Sequence, residues 1–259
     1  MMNALYSAAT GMMAMQMGMD VIANNLANVN TNGYKATSVS FEDLLYQSLG
    51  DSYSAKLGAQ VGMGVGPGNT HKIFTQGDLK DTGMWSNMAI EGSGFFMVTL
   101  PDGTIGYTRD GSFSLDANGN FVNGSGHRLY DGYASSIAVP QEVDTNSVTI
   151  TPNGLITGKL AGQDIILGQL SLATFVNPAG LESVGNNIYV STVNSGPATV
   201  VDPGDGAAGV IRQGSVEGSN VSVMTEMIDM ITAQRAFESV SKAISTSDEM
   251  LGMANSMRR

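Results

Sequence analysis

Three residues in the middle of the chain could begin a calcium-binding loop. Asp116, Asn118 and Asn120 place side-chain oxygen atoms at alternate positions, as such a loop does. The loop also needs glycine at its sixth position and glutamate at its twelfth, where this chain has Phe121 and His127. We therefore interpret the segment as a hairpin turn and predict no metal ion there.

Other residue types that support catalysis are scarce or scattered. His71 and His127 lack a cysteine, a glutamate or a second histidine at ligand spacing. The chain has no cysteine, which excludes thiolate metal sites, disulfides and cysteine nucleophiles. No G-x-S-x-G motif brings serine, histidine and aspartate together as a hydrolase triad would require. We predict no catalytic residue, no metal and no cofactor.

A glycine-rich stretch runs from Gln60 to Gly68. Glycine-rich loops can cradle phosphate, but this one lacks a closing Gly-Lys-Ser/Thr, a strict G-x-G-x-x-G and a preceding strand pattern. We predict a segment that is mobile unless neighbouring residues order it. No small-molecule substrate is expected.

Heptad patterns at the two ends of the chain bracket all these residues. Apolar residues recur every seven positions in two registers three places apart. In the N-terminal part they are Leu5, Ala8, Met12, Met15, Met19, Ile22, Leu26 and Val29. In the C-terminal part they are Met230, Ala233, Phe237, Val240, Ile244 and Leu251, with Ser247 as a polar exception. Such a stripe needs another helix to cover it, so we predict two long coiled-coil helices that form a subunit interface.

The other face of the first helix is made of small or amide side chains and carries almost no charge. A solvated face normally carries lysine and glutamate, so we predict contacts on more than one side of this helix. Gly11 and Gly18 would allow close backbone approach, and Asn24, Asn25 and Asn28 would add amide hydrogen bonds at the interface. The alternative is a helix buried in a single globular core.

Between the ends, short apolar runs alternate with strong turn residues such as Pro101-Asp102-Gly103 and Asn118-Gly119. The predicted strands are 95–100, 105–108, 113–115, 148–150, 165–167, 173–176 and 188–193. The predicted fold class is α+β, with long N- and C-terminal α-helices forming a coiled-coil domain and an inserted antiparallel β domain. The predicted domains are residues 1–45 with 212–259, an extension at 46–70, and the β domain at 71–211. We expect the β domain to end near the turn at Asp202-Pro203-Gly204.

The charge is distributed unevenly along the chain. Residues 36–224 hold seventeen acidic and seven basic side chains, whereas both ends are nearly neutral. This balance argues against nucleic acid as a partner. No apolar run approaches the roughly 20 residues that a membrane helix needs, and the first residues lack the pattern of a cleaved secretory signal.

The run ANNLANVNTNGYK at 23–35 resembles the signature of the bacterial flagellar rod and hook proteins. The runs TQGDL at 75–79, AIEGSGFF at 89–96, YTRDGSF at 107–113 and TAQRAFE at 232–238 are also similar to this family. The segment 46–70 resembles an insertion that separates distal-rod members from proximal-rod members. The resemblance therefore covers most of the chain and favours the distal rod.

The resemblance implies a structural protein without enzymatic activity. Copies would polymerise into a helical drive shaft that transmits torque from motor to hook, with the terminal helices inside and the β domain outside. The implied partners are other copies of the chain, proximal rod and hook proteins, the surrounding basal-body rings and the type III flagellar export apparatus. The implied location is the rod that crosses the periplasm, reached without a cleaved signal peptide. The alternatives are a proximal rod or hook subunit, or a ligand-binding β module that the terminal helices dimerise.

Overall fold

The computed structural model describes residues 2–48, 60–132, 137–140, 142–143, 147–160, 163–206 and 208–257. The chain divides into two compact units. The helical unit comprises Met1–Ala27, Thr37–His71 and Ser222–Arg259, and the β unit comprises Asn28–Ala36 and Lys72–Val221. A helix at each end and a central antiparallel β region confirm the predicted α+β class. The coiled-coil geometry of the helices and the predicted domain boundaries stay predictions.

Helix α1 spans Met2–Ala27. The predicted heptad pattern continues to Val29, but a turn begins at Asn28. The Asn28 carbonyl accepts a hydrogen bond from the Thr31 N–H at 3.1 Å, and the Asn28 Oδ1 accepts one from the Thr31 hydroxyl at 3.2 Å. Asparagine competes with helical hydrogen bonding in this way, so Val29 lies beyond the helix.

Helix α2 spans Val223–Ser256 and packs against α1 within the helical unit. Ser222 is its N-cap residue, although its side chain makes no capping hydrogen bond. Its backbone carbonyl accepts the Glu226 N–H at 3.0 Å. Glu226 lies in the first turn, where a negative charge favours the helix dipole.

Four strands complete the helical unit: β1 (Thr37–Asp43), β2 (Tyr46–Ser48), β3 (Gln60–Gly62) and β4 (Val65–Lys72). β1 pairs with β4, and β2 pairs with β3. The predicted extension at 46–70 is thus strand over much of its described part, and its residues 49–59 lie outside the described residues.

The small-residue face of α1 explains why glycines occur in this ribbon. The Thr10 hydroxyl accepts a hydrogen bond from the Val65 N–H at 3.4 Å. Gly64 has φ +102°, and a Cβ there would lie 2.2 Å from the Thr10 Oγ1, so a larger residue does not fit. Gly18 faces the Phe41 ring at ordinary contact distance, whereas Gly11 has open space around it. Neighbouring residues therefore order the glycine-rich stretch.

The β unit contains sixteen described strands, numbered here in chain order. They are β5 (Leu79–Asp81), β6 (Met88–Glu91), β7 (Phe96–Thr99), β8 (Ile105–Thr108), β9 (Phe113–Leu115), β10 (Phe121–Asn123), β11 (Arg128–Tyr130), β12 (Thr149–Ile150), β13 (Leu155–Leu160), β14 (Gln163–Gln169), β15 (Leu172–Thr174), β16 (Glu182–Gly185), β17 (Ile188–Val190), β18 (Thr199–Val201), β19 (Val210–Gln213) and β20 (Ser215–Glu217). A 3₁₀ turn lies at Pro178–Gly180.

The largest sheet has the strand order β16-β17-β8-β7-β11-β10-β9, and every pairing in it is antiparallel. β12-β13-β14 form a second sheet, while β15 pairs with β18, β19 with β6 and β20 with β5. Strand β7 shows why the core sits where it does. Phe96 and Val98 pack into one apolar cluster, while Phe95 and Met97 pack into a second. Because side chains alternate along a strand, this sheet is covered by apolar residues on both faces.

Every predicted strand overlaps an observed one, and two strands that were not predicted follow the turn at Asp202-Pro203-Gly204. The turn after Asp202 is followed by β19 and β20, which return to pair with β6 and β5. These two strands are short and separated by Gly214, so their local pattern was too brief to recognise. The β unit ends at Val221.

Candidate assembly surface and ion cluster

The predicted heptad residues lie on α1 and α2 and are partly covered in a single chain. Each described member of the two helices is half-buried: Leu5, Ala8, Met12, Met15, Met19, Ile22, Leu26, Met230, Ala233, Phe237, Val240 and Ile244. Val29, beyond the helix, is half-buried too, and the side chain of Leu251 lies outside the described part of the chain. Since α1 packs against α2, each helix covers part of the other's apolar surface.

The three predicted interface asparagines have different environments. Asn25 is only 4% exposed, and its side chain bonds to both the N–H and the C=O of Thr37 at 2.9 Å, as a neighbouring strand would. Its Nδ2 also donates to Glu226 Oε1 at 3.2 Å. Partial burial raises the pKa of the Glu226 carboxyl, and the Asn25 hydrogen bond opposes that shift. Asn24 is exposed, and Asn28 forms the turn after α1.

A second apolar stripe on α2 was not among the predicted residues. Met224, Met227, Ile228 and Ile231 are each at least half exposed, from 50% for Ile231 to 75% for Met224. At 3.6 residues per turn they share one side of the helix, roughly opposite the stripe that begins at Met230. We call these four residues the outer stripe. Their i, i+3, i+4, i+7 spacing was the sequence signal that could have revealed them.

Helix α1 also exposes large apolar side chains. Tyr6, Met13 and Met17 are exposed, and Met13 reaches 70%. Among the described residues of the helical unit, Ala14 is the one fully buried apolar side chain. Contiguous exposed apolar surface usually marks an interaction site. The helical unit therefore offers apolar surface that its own chain does not cover.

Within the β unit, three charged residues from separate motifs meet in one buried cluster. Lys35 ends the ANNLANVNTNGYK run, Arg109 lies in YTRDGSF, and Glu217 ends β20. The Lys35 Nζ lies 2.5 Å from the Glu217 Oε1, and the Arg109 Nη1 lies 3.2 Å from the Glu217 Oε2. We call this group the ion cluster. Two of these motifs belong to the family resemblance, but no role was predicted for their charged residues.

Hydrogen bonds from neighbouring backbone complete the ion cluster. The Lys35 Nζ donates to the Thr75 carbonyl at 2.7 Å, and Glu217 Oε1 accepts the Gly77 N–H at 2.9 Å. Burial lowers the pKa of Lys35 and of Arg109, and the Glu217 carboxylate opposes both shifts. A buried charge is tolerated when it is paired and hydrogen-bonded in this manner.

Two segments of the β unit, 33–36 and 217–220, are joined at the same place. The Gly33 N–H donates to the Glu217 carbonyl at 2.8 Å, and the Ala36 N–H donates to Asn220 Oδ1 at 2.8 Å. Gly33 has φ +67°, and a Cβ there would lie 2.4 Å from the Asp110 backbone nitrogen. The motif residues thus hold the incoming and outgoing chain side by side.

The segment considered for calcium binding is part of a hairpin. Asp116 accepts the Gly119 N–H through its carbonyl at 2.8 Å, and β9 pairs with β10 around this turn, which confirms the hairpin interpretation. Within the described ranges, His, Asp and Glu form no group of three that could hold a metal ion. Neither α1 nor α2, over its described residues, contains a stretch apolar enough to cross a membrane.

Three family models match segments of the chain. They are described as flagella basal body rod protein at residues 5–35, flagellar hook protein FlgE/F/G D1 domain at 89–158, and flagellar basal body rod FlgEFG protein C-terminal at 212–257. The first model contains Lys35, the second contains Arg109 and the third contains Glu217. The ion cluster therefore joins the three matched segments.

The full-length relatives of this chain are also named as flagellar basal-body rod proteins. A flagellar basal-body rod protein FlgG of Borreliella burgdorferi is 44% identical, with 100% of both chains aligned. FlgG of Buchnera aphidicola from Acyrthosiphon pisum is 46% identical over 97% of this chain and 98% of its own. FlgG of Caulobacter vibrioides is 40% identical over 99% of this chain and 100% of its own. The resemblance seen in the sequence is confirmed: this chain is a structural protein of the flagellar rod and belongs to the flagellar basal-body rod protein family, alongside FlgG.

Proposed function

We propose that copies of this chain polymerise through their helical units into the distal rod of the flagellar basal body, the shaft that transmits torque from motor to hook. The observation that carries the proposal is the exposed apolar surface of α1 and α2 in a family of rod proteins. The chain's role is structural, and no reaction is assigned to it.

The helices would form the inner layer of the polymer. The predicted heptad residues from Leu5 to Val29 and from Met230 to Leu251 would pack against neighbouring copies in a coiled-coil manner. Asn24, exposed beside the buried Asn25, would contribute amide hydrogen bonds to such a neighbour, and Asn28 would do so at the helix end. Because this contact joins different surfaces of successive copies, it would not close and would give a helical filament.

The outer stripe would be covered in the same polymer. Two isoleucines and two methionines exposed on one side of α2 would each gain about 1.5–3 kcal/mol on full burial. Methionine adapts to neighbours of different shape, which suits a surface that meets several copies in a helical lattice.

The β unit would lie outside the helical layer. Its excess of acidic side chains would keep that surface soluble within the surrounding basal-body rings. Further partners would be the proximal rod and hook proteins at the two ends, and the type III flagellar export apparatus that delivers the chain without a cleaved signal peptide. The polymer would then cross the periplasm.

The test is polymerisation of the purified full-length chain, followed by light scattering and electron microscopy. The variant Ile228→Ser/Ile231→Ser removes apolar area from the outer stripe. The matched control Val184→Ser/Val193→Ser makes the same kind of change at exposed positions of the β unit, of which Val193 is 99% exposed. We expect filaments from the parent chain and the control, and a critical concentration raised at least about tenfold in the outer-stripe variant. A discrete oligomer that binds a small ligand saturably would contradict the proposal.

The assignment to the distal rod has a separate test. Deleting residues 50–66 removes most of the extension at 46–70. If this extension is specific to the distal rod, its loss shortens or softens the rod in cells. Normal rods of normal length would instead favour a proximal rod or hook subunit.

A further inference from the structure

The β unit contains a small aromatic cavity that the proposed helical interface does not use. It has a volume of about 190 Å³, and its lining includes Phe74, Ser93, Phe95, Arg109, Phe175 and Pro178. Small-molecule sites usually measure about 300–1,000 Å³, so this cavity has room for one amino-acid side chain rather than a larger ligand. We call it the aromatic pocket.

The walls of the aromatic pocket brace one another. Phe95 makes edge-to-face contacts with Phe74 and Phe175, with ring centroids 5.4 Å and 5.7 Å apart. Phe95 and Arg109 are buried and form the floor, while Phe74 and Phe175 are half-buried and form the walls. Packed rings of this kind hold the pocket open without a ligand, because each ring is restrained by its neighbours.

The floor of the pocket carries more positive than negative charge. Glu217 is the one carboxylate that forms an ion pair with Arg109 among the described residues, and it is shared with Lys35. Two positively charged side chains, Lys35 and Arg109, therefore share one buried carboxylate, that of Glu217. Arg109 is 5% exposed, and its Nε has no hydrogen-bond partner within the described part of the chain. An arginine offers five N–H donors, so an incoming carboxylate could use those that Glu217 does not.

We propose that the aromatic pocket receives the carboxylate side chain of an aspartate or glutamate from a second copy of this chain. Charge complementarity supports a second copy as the occupant. The β unit holds fourteen acids against seven bases, so neighbouring β units meet with an excess of carboxylates and few cations to pair with them. The N–H donors of Arg109 that Glu217 leaves unused can form charge-assisted hydrogen bonds with one of these carboxylates. The inference rests on the proposed polymerisation and adds a contact between β units to it.

The test blocks the pocket without removing any buried group. Ser93 is exposed at its rim, so Ser93→Trp fills the opening. Ser183→Trp adds the same side chain at an exposed position of β16 outside the pocket. We expect Ser93→Trp to raise the critical concentration of the full-length chain about tenfold, the factor expected for one lost charge-assisted hydrogen bond, and Ser183→Trp to leave it unchanged.

A soluble probe identifies the chemistry of the occupant. Phenylacetate carries an aromatic ring and a carboxylate, whereas phenethylammonium carries a similar ring and a positive charge. We expect phenylacetate to shift the ring proton resonances of Phe74 and Phe175 and to raise the critical concentration of the parent chain. Phenethylammonium should do neither, and Ser93→Trp should be insensitive to both.

The outcomes separate this inference from the proposed function. Filaments that form equally well from Ser93→Trp and Ser183→Trp overturn the inference and leave polymerisation intact. Binding of phenylacetate without any effect on polymerisation shows that the pocket takes a carboxylate from another source, which overturns the second copy as occupant. A parent chain that forms no filaments overturns both proposals.

Discussion

The two units of this chain differ in how completely they bury their own apolar residues. Among the described residues, every fully buried apolar side chain except Ala14 belongs to the β unit. The helical unit instead exposes large apolar residues along α1 and on the outer stripe of α2. Because apolar burial is the main favourable term in folding, the β unit has its own source of stability and the helical unit has little. The difference supports the proposal that other copies complete the helical unit.

The two units also differ in the polar groups that they bury. The β unit buries the ion cluster, whose groups are held by backbone and side-chain partners from several segments. In the described part of the helical unit, Asn25 is the one buried amide, and it fixes the start of β1 against the end of α1. The family signature therefore contains residues of two kinds. Asn25 and the residues of the ion cluster are buried within the single chain, whereas Asn24 is exposed.

Among the substitutions that test the difference between the two units, Glu217→Gln should have the largest effect on stability. The change leaves Lys35 and Arg109 buried without a negative partner, so the free energy of unfolding of the β unit should fall by about 3–5 kcal/mol. Denaturant titration measures it, and Glu182→Gln at an exposed site of β16 is the control. Equal stability of the two variants would show that the ion cluster does not stabilise the β unit.

A smaller effect is expected from Asn25→Ala in the helical unit. The alanine leaves the Thr37 N–H and C=O without their side-chain partner, which should cost about 1–3 kcal/mol locally. Amide hydrogen exchange at Thr37 should become faster, while the unfolding of the β unit stays unchanged. Asn24→Ala, one residue away and exposed, should leave Thr37 exchange as it is. If both variants slow or speed exchange equally, Asn25 does not anchor β1.

Tyr189→Phe should change the β unit least at neutral pH. The Tyr189 hydroxyl is buried without a hydrogen-bond partner among the described residues, so its removal should be neutral or stabilise by up to about 1 kcal/mol. Burial raises the pKa of this hydroxyl well above its ordinary value of 10.0. Between pH 10.0 and the raised pKa of the folded chain, this hydroxyl is ionised in the unfolded chain but stays protonated in the folded one. Tyr189 therefore makes the free energy of unfolding fall by about 1.4 kcal/mol per pH unit in that range.

The pH dependence of Tyr189→Phe isolates that contribution. The lowered pKa of Lys35 has the opposite sign, because there the unfolded chain holds its proton longer and stability rises with pH up to about its ordinary value of 10.5. Comparing the parent chain with Tyr189→Phe between pH 9 and 11 cancels this shared term. Parallel stability curves for the two proteins would contradict the burial of the hydroxyl.

Elements with a long sequence pattern could be predicted, whereas contacts between residues far apart in the sequence could not. The seven-residue repeats of α1 and α2 extend over several turns, so both helices were recognisable. The ion cluster was not, because Lys35 and Glu217 are 182 positions apart and nothing local in either motif indicates that they pair. The outer stripe was missed for another reason. The heptad on the opposite side of the same helix was interpreted as its apolar face, and the exposure of the outer stripe reveals a second one.

Amide hydrogen exchange of the full-length chain, compared between monomer and filament, tests the central claim most directly. Local protection reports how much free energy holds each region closed. We predict that amides of β7 are equally protected in both states, whereas those of α1 and of the outer-stripe turns of α2 gain at least about tenfold protection in the filament. The account would be contradicted if the helix amides were already as protected as those of β7 in the monomer, or if their protection did not increase on polymerisation.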